Sequence, residues 1–362
     1  MAVFFLGFLL VGGAAAASQG WLDRHFLPSF LISRLWYVRI ETTVRLAFAA
    51  AGISLMIFSR PITAWMKAIG FVRIVQVVVA IVLALVASEL VMQRVRLRPA
   101  EWRAESEEPR REPDPRLGWT FQAARTAYAT NRGGERIEYV FDAHGYRVRN
   151  AQQQIDLATP SNLFVGESVM FGDGLRYDDS IPSQVEASVG IPSINAAVYG
   201  YSTDQTYLRL ERELQRVQHP KAVIALFMTA LFGRNLDDDR PHLGPGLSWQ
   251  PAAQHGRLIS LAGLLVPFRR EATIATGIVV TREVLRALTR LVRAHGAKPL
   301  VVVPTFGPEA GPERALRQQI FSDPDVPFVV VEIDPAWHIP WDHHPDARAA
   351  HAIASAIISR LR

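Results

Sequence analysis

Ser168 stands just beyond an apolar run, in Leu163-Phe164-Val165-Gly166-Glu167-Ser168-Val169-Met170-Phe171-Gly172. Such a run ending in Gly-x-Ser reads as a buried strand that turns sharply, with Gly166 easing the turn. A hydroxyl there stands at the carboxyl end of a strand, where open α/β sheets place their sites, so Ser168 is the candidate nucleophile. The segment is not the Gly-x-Ser-x-Gly elbow, because Met170 occupies the place of the second glycine. Close to the carboxyl end lies His338-Ile339-Pro340-Trp341-Asp342-His343-His344-Pro345-Asp346. Serine chemistry needs a base of near-neutral pKa and a carboxylate to fix its tautomer, and this one loop offers both. His344, followed directly by Pro345 and a closing helix, is favoured as the base over His343. His338, Asp342, His343, His344 and Asp346 also suit zinc or manganese. Without a second ligand cluster elsewhere, neither a metal nor a cofactor is expected.

The elements that must position these groups follow from the hydrophobic pattern. Apolar runs at Leu163–Val165, Ile194–Val198, Ala222–Met228, Leu300–Val303 and Phe328–Val331 read as buried parallel strands. Helical stretches at Ile181–Ser188, Asp204–Val217, Thr281–His295 and Pro312–Phe321 alternate with them, and a last helix spans Asp346–Leu361. The alternation predicts an α/β fold with a doubly wound, flavodoxin-like parallel sheet and its site at the strand carboxyl ends. A few short strands are expected between Leu117 and Asn150, where Asp142-Ala143-His144-Gly145-Tyr146 reads as a turn. Residues 240–270 show no clear period and read as an insertion, either a lid or a membrane-facing loop.

The amino-terminal part is of another kind. Residues 1–99 hold ten Lys/Arg and three Asp/Glu, so the formal net charge of +5 comes from the front of the chain. Basic residues between apolar runs suit membrane flanks, and a nucleic-acid partner is not expected. Three apolar runs are candidates for spans: Ala2–Leu22, read as an uncleaved span in preference to a signal peptide; Arg45–Arg60, short unless Arg45 snorkels; and Ile74–Gln93, apolar on every face. The division expected is a membrane region over 1–98, a charged, proline-rich linker over 99–116, and a catalytic domain over 117–362. If all three runs span, the positive-inside rule puts the large domain in the cytoplasm, whereas cleavage of the first run with a hairpin of the other two puts it outside. The absence of cysteine removes disulfides, thiolate zinc sites and a cysteine nucleophile.

Gly166, Ser168 and Gly172 match the Gly-Asp-Ser-x-x-x-Gly block of the GDSL/SGNH hydrolases, with Glu167 in place of the aspartate, and the chain from about 115 to 361 resembles that family. Leu117-Gly118-Trp119 and Gly145-Tyr146-Arg147 look like its lead-in. The resemblance implies an oxyanion hole built from the Ser168 and Gly200 backbone N–H groups and the Asn235 side chain, the last from Gly233-Arg234-Asn235, where Leu236 replaces an aspartate. It implies His344 as base, although the usual Asp-x-x-His spacing is shortened to Asp342-x-His344 because Trp341 stands three residues before the histidine. The expected function is a membrane-anchored serine esterase acting through an acyl-enzyme on an acylated small molecule, glycan or lipid. The family's membrane-tethered enzymes are usually exported, which favours the exoplasmic side for the large domain. The alternatives are an O-acyltransferase of a membrane-linked polysaccharide pathway and a catalytically silent glycan- or partner-binding protein.

Overall fold

The computed structural model describes residues 1–26, 34–94, 107–309 and 311–362. The chain forms two compact units, one made of Met1–Leu97 with His255–Arg270, the other of Arg98–Gln254 with Glu271–Arg362.

The first unit holds α1 (Ala2–Ala16), α2 (Gln19–His25), α3 (Arg34–Ile57), α4 (Ser59–Ile69) and α5 (Phe71–Met92). Two of its helices, Leu35–Ile57 and Phe71–Met92, are long and apolar enough to cross a membrane. The first apolar run is not one straight helix, because α1 and α2 meet at 87°. Ser18 makes the break by accepting a hydrogen bond from Trp21 N, which caps a new helix instead of continuing the old one. The second run extends toward the amino terminus beyond Arg45, whose Nε donates to the Ala14 carbonyl at 3.3 Å and so satisfies an orphan acceptor at the end of α1. A Cβ on Gly7 would lie 2.5 Å from the Gly52 carbonyl oxygen, so the backbones of α1 and α3 touch where both helices carry glycine.

The second unit begins with β1 (Arg111–Asp114), β2 (Gly118–Phe121), β3 (Thr126–Thr130), β4 (Arg136–Phe141) and β5 (Arg147–Val148). The expected linker falls partly outside the described residues, over 99–106. Beyond that it is folded, since β1 pairs antiparallel with β2 and Arg111 is buried over the rings of Trp119 and Tyr199. Asp114 in it is partnered: it accepts from the N–H groups of Arg116 and Leu117 and pairs with Arg212.

The parallel core consists of β6 (Ser161–Val165), β7 (Ser193–Asn195), β8 (Pro220–Leu226), β11 (Lys298–Phe306) and β12 (Phe328–Ile333). Its spatial order is β12-β11-β8-β6-β7, which in sequence order is 2-1-3-4-5, the flavodoxin-like winding. The helices between these strands are α6 (Ser168–Phe171), α7 (Ile181–Val189), α8 (Thr203–Leu214), α10 (Glu271–Ala294) and α11 (Gly311–Ile320), with α12 (Ala347–Leu361) closing the chain. Between β8 and α10 come a short hairpin of β9 (His242–Gly244) and β10 (Ser248–Gln250), and then α9 (Arg257–Leu265), which belongs to the first unit. The sheet is mixed rather than purely parallel, because β5, β4 and β3 extend it antiparallel from the β7 edge to give eight strands. Covering that edge removes an exposed row of backbone groups beside the site.

Arg147 of β5 is almost fully buried. Its guanidinium donates to the carbonyls of Phe171, Gly172 and Leu175 at 3.0, 2.7 and 2.6 Å, and stacks over Tyr139 and Phe171. One side chain thus holds the loop that leaves α6. Arg147→Met strands these buried acceptors and is expected to destabilise the chain by about 2–4 kcal/mol. The thermal midpoint of the detergent-solubilised protein measures this, and an unchanged midpoint would contradict the assignment.

Candidate active site

The turn between β6 and α6 is set by close packing. Gly166 has φ +157°, and a Cβ there would meet Met170 Cβ at 2.9 Å and Leu226 Cβ at 3.1 Å. Only glycine lets the backbone pass this close, so Ser168 emerges as the first residue of a one-turn helix that ends at left-handed Gly172. Glu167 caps that helix by accepting from Val169 N at 3.1 Å.

The last loop before α12 is shaped by its own backbone. Asp342 N donates to the Ile339 carbonyl at 2.9 Å around Pro340 and Trp341, with Trp341 at φ +62°. This is a proline-led turn of type II character with a bulky residue where glycine is usual. Ile339 N and His344 O bond across it at 2.9 Å. Asp342 Oδ1 then accepts from both the backbone N–H of His344, at 3.1 Å, and its ring Nδ1, at 2.7 Å. The short Asp-x-His spacing therefore works because the tight turn brings carboxylate and imidazole back onto each other.

The structure brings Ser168, His344 and Asp342 together: His344 Nε2 lies 2.9 Å from Ser168 Oγ. With Nδ1–H given to Asp342, Nε2 is free to accept the serine proton. Burial opposes charge on His344, but the hydrogen bond to Asp342 and the nearby carboxylates of Asp173, Asp342 and Glu167 outweigh it and raise the imidazole above its ordinary 6.5. Burial also opposes charge on Asp342, yet the bond from His344 prevails and lowers that carboxyl to about 2. The rival His343 faces the His338 ring, with centroids 5.8 Å apart, and burial and His338 lower its pKa. Among the described residues, no group of three or more His, Asp or Glu could hold a metal ion.

Gly200 lies in the loop after β7, which is tied to the serine loop by Val198 N donating to Gly166 O at 3.1 Å. Trp119 Nε1 donates to the Tyr199 carbonyl at 3.1 Å, and because the peptide is trans, this fixes the Gly200 N–H in the opposite direction. The side chain of Asn235 is hydrogen-bonded to residues other than the serine. Both its amide hydrogens go to the hydroxyls of Thr203 and Thr281, at 2.9 Å each, and its oxygen accepts from Thr203 N, so it caps α8. The reason is the 3-10 segment Thr229–Leu236, which carries Asn235 past the end of β8 to the helices beyond.

Three further groups lie around Ser168 and His344. Glu167 Oε2 accepts from Ser168 Oγ at 2.6 Å, so a single hydroxyl proton has two acceptors. Arg234 Nη1 lies 3.8 Å from that same Glu167 oxygen and donates to Tyr201 O at 3.4 Å; burial lowers its pKa. Asp173 Oδ2 lies 4.0 Å from His344 Nε2, and Tyr139 OH donates to its other oxygen at 3.1 Å. Glu167 and Arg234 adjoin motif residues, which is the signal that marks them. Asp173 carries none beyond its place after Gly172.

This fold and site define a doubly wound α/β domain with a Ser–His–Asp chain at the carboxyl ends of its strands. No family model and no curated protein matches the chain. Among solved structures, it is similar to an acetyl xylan esterase from the rumen bacterium Butyrivibrio proteoclasticus, at 12% identity over 58% of this chain with a TM-score of 0.35, and spans 65% of that esterase. A protein of the G-D-S-L family from Desulfitobacterium hafniense is 12% identical over 56% of this chain and 99% of its own, with a TM-score of 0.36. A carbohydrate acetylesterase family member from Sinorhizobium meliloti is 13% identical over 56% and 97%, with a TM-score of 0.34.

The raised pKa of His344 sets a pH dependence. A base at His344 would act unprotonated, so the rising limb of kcat/KM is expected above pH 6.5. Asp342→Asn removes the group that holds the proton on the ring and should move that limb toward acid. A limb below 6.5 in the unaltered protein, or one unmoved by the substitution, would contradict this electrostatic reading.

Proposed function

We propose that the chain is a membrane-anchored serine esterase that cleaves an acyl ester through an acyl-enzyme. The observation that carries this reading is the bonded series from Ser168 Oγ through His344 to Asp342, at 2.9 and 2.7 Å. His344 Nε2 takes the hydroxyl proton as Ser168 Oγ attacks the ester carbonyl, and the imidazolium then gives that proton to the departing alkoxide. Water, deprotonated by the same ring, attacks the acyl-serine and releases the acid, which restores the serine.

The developing oxyanion is assigned to the backbone N–H groups of Ser168 and Gly200, two donors in place of three, since Asn235 is engaged elsewhere. Ser168 supplies such a donor as the first residue of α6, whose leading N–H groups have no partner inside the helix. Glu167 places a negative charge beside this developing anion. Arg234 offsets it and thereby keeps the site able to accept charge on the carbonyl oxygen.

Fluorophosphonate labelling of the full chain should modify Ser168 and be lost in Ser168→Ala, together with hydrolysis of p-nitrophenyl acetate. Labelling that persists in the alanine variant would remove the nucleophile assignment. His344→Ala should lower kcat by about 10³-fold or more. Arg234→Met should lower kcat about 10–100-fold with a smaller change in KM, and adding Glu167→Gln should restore part of the loss. Strict additivity of the last two substitutions would show that Arg234 does not act through Glu167.

A further inference from the structure

The segment inserted between β10 and α10 leaves the catalytic unit and is fastened at both ends to the membrane unit. At its start, Glu89 of α5 accepts from the N–H groups of Arg257 and Leu258 at 2.6 and 2.8 Å, and so satisfies the first turn of α9 from another helix. At its end, Arg269 N donates to His25 O at 2.8 Å and His25 Nδ1 donates to Arg269 O at 2.7 Å. Phe268 forms an antiparallel bridge with Phe26, and its ring stacks on His25 at 5.4 Å.

From Leu258 to Phe268 the chain carries no charged residue, and Ser260 is its one polar side chain. Leu258 and Leu261 are half-buried. Ile259, Ala262, Gly263 and Val266, at i, i+3, i+4 and i+7, form an exposed apolar face, with Ile259 67% and Val266 58% accessible. Nine helical residues reach roughly 14 Å, less than half the hydrocarbon thickness, so α9 is too short to cross. Its height is fixed by Glu89, which lies one turn from the last residue of α5, where a spanning helix meets the headgroups.

We propose that residues 257–268 lie in the membrane interface, with Ile259, Ala262, Gly263 and Val266 against the acyl chains of the bilayer. The occupant of this face is lipid because α9 is hydrogen-bonded through Glu89 to a helix that itself has the length and composition of a span. Glu89 has a structural reason to stand near the end of that helix, since it holds the interfacial segment in place. The inference is independent of the esterase reading and depends on α5 crossing the bilayer.

The chain has no cysteine, so single cysteines can report position directly. Full-length protein carrying Ile259→Cys or Val266→Cys, labelled with a nitrobenzoxadiazole fluorophore and reconstituted in phosphatidylcholine vesicles, is compared with Val82→Cys in α5 and exposed Ser355→Cys in α12. Brominated lipid should reduce emission at 259 and 266 to within about twofold of its effect at 82, while aqueous iodide quenches 355 alone. Lipid quenching at 82 but not at 259 or 266 would overturn the interfacial placement by itself, whether iodide reaches those labels or protein shields them. An unquenched label at 82 would overturn it together with the membrane reading.

Discussion

The hydrogen bond between Ser168 and His344 joins residues 176 positions apart, and the architecture of the second unit is what makes it possible. In a parallel sheet wound in the 2-1-3-4-5 order, the first strand lies in the interior, flanked on both sides, and its carboxyl end sits at the switch point. The serine leaves from that end. The loop carrying the histidine follows the last strand and precedes α12, whose first turn is capped by Asp346. Strand order, one glycine close approach and one helix cap thus fix the two ends of that hydrogen bond.

Much of the site was legible because each component sits in a local pattern. Ser168 follows an apolar run and a glycine, and His344 precedes proline and a helix start, so short-range rules place both at strand or helix ends. Asp342 was legible as a carboxylate in reach, although its spacing becomes intelligible only with the left-handed Trp341, which no propensity rule anticipates. The surroundings of Asn235 were not legible in this way. Its sequence neighbours suit the motif, but tertiary packing extends a 3-10 segment through it and turns its amide to two threonines.

The fold shows a similar division. The five parallel strands are apolar enough to read directly, whereas β3, β4 and β5 are short and mixed, and their joining to β7 is a long-range event. Residues 107–116 look solvated by composition, yet Arg111 is covered by aromatic rings and Asp114 is bonded from three directions. Charge in a sequence marks exposure only where no partner folds against it, and here partners come from α8 and from the residues just before β1. Arg147 is the extreme case: a cation in the core, kept there by three backbone carbonyls and two aromatic faces.

The insertion that carries α9 makes the polypeptide pass between the two units three times, after Leu97, after Gln254 and after Arg270. A single cut near residue 100 would therefore not part the second unit from the first, because two intact passages of polypeptide would still join them. Release would require severing all three passages. Two units joined by a single connection are parted by one cut; these two are not.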